Sequence, residues 1–122
     1  MAFAITVEPD LLRIALTGAL TAEDLAGLAT ATDDLERGRD PVPARLTDMT
    51  GVTTVEIFYP DVKTLADHRR TLQFPNAFRS AIVVRTPVQR GMARMFQTLN
   101  DNPQITIEIF DDEAAALAWI RG

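Results

Sequence analysis

The sequence predicts an α/β fold: a mixed five-stranded sheet with helices packed on it, in the order β-β-α-β-α-β-α-β-α. Three observations carry this. Short β-branched runs alternate with helix-length amphipathic stretches, which implies a largely parallel sheet. The first two runs, "FAITVE" and "LLRIALTG", are separated only by Pro9-Asp10, so they form a tight hairpin that makes one edge antiparallel. "SAIVV" is almost purely apolar, the mark of a strand covered on both faces.

The elements follow in order. Gly18 closes the second strand. "TAEDLAGLATATDDLERG" reads as a helix: Thr21 can cap it, Glu23 and Asp24 suit its positive first turn, and Gly38 follows its last turn. Leu25, Leu28, Ala29, Thr32 and Leu35 form its inward stripe. "DPVP" breaks the chain, and "ARLTDM" is the third strand, ending near Asp48. Pro60 opens a second helix, with Val62, Leu65, Ala66 and Leu72 inward. "FPNAF" breaks again before "SAIVV". Thr86-Pro87 starts a third helix with the stripe Val88, Met92, Met95, Phe96 and Leu99, ended by Asn100 to Pro103. "ITIEIF" is the fifth strand, and Asp111 caps a final helix running through Trp119.

Composition bounds the function. The 122 residues make one domain, 1–122, long enough to bury a core without staples. Without cysteine there are no disulfides and no thiolate metal sites. No apolar run reaches the roughly 20 residues of a membrane span, and "MAFAITVEPD" lacks a basic leader region, so a cytoplasmic protein is expected. Residues 1–61 hold eleven acids and four bases, residues 62–122 six acids and eight bases. Overall acidity and few aromatics argue against nucleic-acid binding.

Catalytic material is scarce. Ser80 is the only serine and His68 the only histidine, so a nucleophilic triad has almost nothing to draw on. No His pair or carboxylate cluster has metal-ligand spacing. No glycine-rich phosphate loop is present. The sequence therefore predicts no enzyme, no cofactor and no metal.

"DMTGV" after a strand, followed by a helix within this order of elements, resembles the STAS fold of anti-sigma-factor antagonists. "GMARMFQTLNDNPQITIEIFDDEAAALAWI" is similar to the ending of the SpoIIAA-like branch, also called STAS/SEC14-domain proteins: a Met/Phe-rich helix, a strand, then a helix with Trp. The resemblance spans essentially the whole chain and implies a single-domain STAS/SpoIIAA-like fold. The family's phosphoacceptor serine is missing. Laying "DMTGVTTVEIFYP" on its pattern places Glu56, Ile57 and Phe58 where the acidic residue and serines fall. Asp48 and Thr50 mark the corresponding switch loop, in which threonines ordinarily bond the local backbone.

In open α/β sheets ligands sit beyond the carboxyl ends of the strands. Two candidate sites are expected there. Arg85 and Arg90, beside the third helix's N-terminus, form an anion site. Ile57, Phe58 and Tyr59 form the lip of an apolar pocket closed by Met92, Met95 and Phe96. Two function classes survive. One is a small-molecule or lipid-binding module, with an apolar ligand or peripheral membrane contact, which the SpoIIAA-like resemblance implies. The other is a STAS-type protein-interaction or regulatory module, acting as a homodimer or with a partner.

Overall fold

A computed structural model describes residues 3–122. Its elements are β1 (Phe3–Val7), β2 (Leu11–Thr21), α1 (Ala22–Glu36), β3 (Ala44–Glu56), α2 (Tyr59–Thr71), β4 (Phe78–Val83), α3 (Pro87–Leu99), β5 (Ile105–Phe110) and α4 (Glu113–Arg121). The five strands form one sheet in sequential order. β1 pairs antiparallel with β2, and β2 to β5 are parallel. This is the predicted mixed α/β fold.

Parallel neighbours joined by right-handed crossovers place successive helices on one face of a sheet. Accordingly Leu25 and Leu28 of α1, Val62 and Leu65 of α2, and Met92, Ala93 and Phe96 of α3 share one core with Ile14, Leu16, Met49, Ile82 and Ile107 of the strands. Alternation sends Leu11, Leu46, Ala81 and Val83 to the opposite face, where Ala116, Leu117, Trp119 and Ile120 of α4 cover them. β4 contributes to both cores, as its apolar run predicts.

The caps follow the sequence closely. In α1 the Thr21 hydroxyl accepts from the Asp24 N–H, and Asp24 accepts from the Thr21 N–H. Thr86 and Gln89 make the same reciprocal pair at α3. Gly38 takes φ +79°, the left-handed conformation that ends a helix, just after α1. At α4 the cap is Asp112, not Asp111: the Asp112 carboxylate accepts from the Ala115 N–H at 2.7 Å.

Two strands outrun the sequence reading. β2 does not close at Gly18 but continues to Thr21, and β3 does not end near Asp48 but continues to Glu56. They pair along their whole length, with β3 gaining a residue between the pairs Ala15–Asp48 and Thr17–Gly51 and another between Gly18–Val52 and Ala19–Thr54. Each gained residue is a bulge. Gly51 is required by the first: a Cβ there would lie 2.9 Å from the Leu16 carbonyl oxygen. Thr50-Gly51 thus lies where two paired strands approach closely, within β3 and not in a loop after it.

Candidate functional site

Because β3 runs on, residues 49–56 form a ribbon with β2 that projects past the carboxyl ends of β4 and β5. β4 pairs only with Arg45 to Asp48 of β3. Beyond Asp48 the β4 side of β3 is met by Gln89, a fully buried side chain of α3. Its Nε2 donates to the Val52 carbonyl at 3.0 Å, while its Oε1 accepts from the Arg85 N–H at 2.8 Å. Gln89 therefore ties the start of α3 to the free flank of β3.

The expected switch loop is part of this ribbon. Asp48 Oδ1 accepts from both the N–H and the hydroxyl of Thr50, at 2.8 and 2.7 Å. Thr50 is engaged within the strand, and Thr53 and Thr54 are exposed on it. At the anion site expected at Arg85 and Arg90, Arg85 is exposed beside the start of α3. Arg90 pairs with Asp111. At the start of α3 the Gln89 N–H is taken by Thr86, and Pro87 has none to offer.

Ile57, Phe58 and Tyr59 part company. Ile57 is buried in the core with Met92 and Phe96. Phe58, the N-cap of α2, is 73% exposed and Tyr59 is 50% exposed. They do not fold over the Met92–Phe96 stripe, because α2 begins at Tyr59 and turns both rings outward. The Phe58 N–H is held instead by the Asp61 carboxylate at 2.9 Å. Val88, on the first turn of α3, is 61% exposed. Three large apolar side chains thus face solvent at the starts of two neighbouring helices, at the carboxyl edge of the sheet.

A cavity of about 100 Å³ lies under the helices. Ile57, Met92 and Phe96 line it, as expected, but Phe58, Tyr59 and Met95 do not; Met95 packs half-buried against the surrounding core. Three polar residues line it as well: Arg45, Thr47 and Ser80. Arg45 also belongs to a buried ionic cluster. Arg69 grips Glu36 with two hydrogen bonds, at 2.6 and 3.2 Å, and Arg45 Nη2 reaches the same carboxylate at 2.5 Å. Beside them His68 Nε2 lies 2.5 Å from Asp33. Burial, then the charge of Arg69, pulls the Arg45 guanidinium down to about 10, against the pull of Glu36. The sequence reading missed Glu36, Arg45 and Gln89 as interior groups. One signal was present for Glu36: it falls four residues after Thr32, on the inward stripe of α1.

Among the described residues no three His, Asp or Glu side chains gather as a metal site, and no helix is long and apolar enough to cross a membrane.

A family model described as SpoIIAA-like matches residues 11–121. No curated protein matches. Among solved structures, an uncharacterised protein with a SpoIIAA-like fold from Shewanella loihica superposes with a TM-score of 0.62 at 22% identity, covering 98% of this chain and 92% of its own. An anti-sigma factor antagonist from Mycobacterium paratuberculosis superposes with a TM-score of 0.67 at 17% identity, covering 98% and 93%.

Proposed function

The chain belongs to the SpoIIAA-like family, and from that premise we propose that it is a non-catalytic regulatory module that works by docking a protein partner. The observation that carries this is the exposed trio Phe58, Tyr59 and Val88 at the carboxyl edge of the sheet. Each of these side chains is worth about 1.5–3 kcal/mol when buried, and large apolar side chains exposed at one edge of a sheet are candidates for an interaction site. The described anti-sigma factor antagonist fold lends the same reading by analogy.

The module lacks a serine switch. Ser80 is the only serine and is buried in β4, away from the ribbon. Nor does the ribbon offer catalytic machinery: Thr50 is bound to Asp48, and His68 is on α2 against Asp33. The alternative reading, a small apolar ligand, has one observation in its favour: the cavity beside Met92 and Phe96. Its volume suits a small molecule and not a long acyl chain.

The test is affinity capture from host extract on immobilised wild type and Phe58→Asp. A stoichiometric partner held by wild type and lost by the variant, at an unchanged Tm, is the expected result. Identical profiles, or no partner on wild type, overturn the proposal. Size-exclusion chromatography and vesicle sedimentation on the same two proteins separate the other candidate occupants of the patch, a second copy of the chain and a membrane surface.

A further inference from the structure

Between α1 and α2 the side chains are too short to meet. Ala22, Ala26 and Ala29 recur at helical spacing along one side of α1, and Thr64 faces them from α2. An open groove of about 410 Å³ runs between the two helices, with Leu25 and Leu65 as its apolar floor. The same two leucines separate it from the cavity nearer the sheet.

The groove is continuous with the exposed patch at the start of α2. Asp61, whose Oδ2 holds the Phe58 N–H, lines one end of it, and Asp33 and His68 line the other. Asp33 Oδ2 lies 2.5 Å from His68, while its Oδ1 makes no hydrogen bond, Arg69 Nη1 standing 3.5 Å away. Among the described residues no lysine or arginine lines this stretch. Arg37 and Arg39 come only beyond Asp33, where the surface opens toward Phe74. His68 follows Asp61 by seven residues, so the carboxylates of Asp61 and Asp33 stand about 10 Å apart along the groove.

These features select one kind of occupant. Both walls are helices whose backbone groups are spent within themselves, so an added strand has nothing to pair with. A segment lying over an apolar floor must then satisfy its own backbone, which a helix does. Anionic surfaces, a lipid headgroup layer or a nucleic acid, are repelled by Asp61 and Asp33. On a helix, side chains seven residues apart share a face and lie about 10 Å apart, the spacing of the two carboxylates. We propose that the groove between α1 and α2 docks a basic amphipathic helix of the partner. Its large apolar side chains lie over Leu25 and Leu65, and two lysines or arginines, two turns apart, meet Asp61 and Asp33. The proposal rests on the docking reading and names the chemistry of its partner.

The probe is a helical peptide of about 18 residues, with a leucine stripe flanked by lysines two turns apart. A control peptide carries glutamates in place of the lysines. Amide chemical shifts of the full chain report binding. The lysine peptide is expected to shift Ala22 to Asp33 and Asp61 to His68 saturably, and to bind about tenfold or more tightly than the glutamate peptide. Ala26 is exposed on α1, so Ala26→Trp fills the groove without altering charge. It should abolish binding while the spectrum stays that of a folded protein. Asp61→Asn, which keeps an oxygen for the Phe58 N–H, should weaken the lysine peptide several-fold. Equal affinity for the two peptides overturns the proposal. So do shifts confined to other surfaces, no saturable shift, or full binding by Ala26→Trp. A wild-type dimer on size-exclusion chromatography that Ala26→Trp breaks also overturns it, since the groove then belongs to a second copy. A partner lost by Phe58→Asp but still held by Ala26→Trp overturns the groove alone and leaves the docking reading standing.

Discussion

On one face of the sheet three helices close over β2 to β5; on the other, α4 lies alone against β3, β4 and β5. Both faces carry ion pairs, and the pairs differ in kind. Under the three helices, Glu36 and Arg69 are almost wholly removed from water, and Arg45 joins them. On the α4 side, Arg13 pairs with Glu8 and Glu113, and Arg121 with Asp10, all at the rim and partly in water. Arg79 lies over the Trp119 ring there, still reaching solvent. The thickness of the covering layer sets the difference. Where three helices exclude water, each charged atom needs a protein partner, and removing one strands the other. Where one short helix leaves the rim wet, water supplies the partner and a lost ion pair costs little.

The largest effect should come from Glu36→Ala. It strands Arg45 and Arg69 together in the interior, and breaking a buried pair by removing one partner costs about 3–5 kcal/mol. Urea unfolding measures it. A loss under about 1 kcal/mol would mean that water reaches the cluster and that the two faces do not differ as described.

Gln89→Ala should cost less, about 1–3 kcal/mol, because it leaves the Val52 carbonyl and the Arg85 N–H without their partner. The same variant should speed hydrogen exchange at the start of α3 more than in β4. Uniform exchange across the molecule would show that Gln89 is not the tie between α3 and β3.

The smallest effect belongs to the α4 face. The hydrogen bond from Arg121 holds the Asp10 carboxyl below its ordinary 3.8. A lowered carboxyl stabilises the fold at pH values above 3.8, and that contribution is lost as pH falls through the folded value. Arg121→Ala should therefore leave the Tm at pH 7 nearly unchanged and only flatten the acid limb below about pH 4. A large loss at neutral pH would place this pair in the same class as Glu36.

Much of the fold was legible because its signals are local. Alternating strand and helix lengths, Thr21 and Thr86-Pro87 at helix starts, and the apolar "SAIVV" all act within a few residues. The strand ends were not legible. Thr50-Gly51 reads as a loop in isolation, yet β2 goes on pairing with β3 as far as Glu56, and Gly51 permits the close approach to Leu16. The candidate site divides in the same way. Hydrophobicity found Ile57, Met92 and Phe96, which line the cavity. It misplaced Phe58 and Tyr59, since an apolar ring does not declare which way its helix will turn.

By itself the sequence determined the element order, the mixed sheet, the threonine starts of α1 and α3 and the absence of serine from residues 49–59, because each depends on neighbouring residues or on simple inventory. Only the tertiary structure decided that Glu36, Arg45 and Arg69 lie inside, that Arg45 lies opposite Ser80 in the β3–β4 register, and that Phe58 faces out. Burial depends on what packs against a residue from elsewhere in the chain, and no local pattern around Arg45 records the three helices that come to cover it.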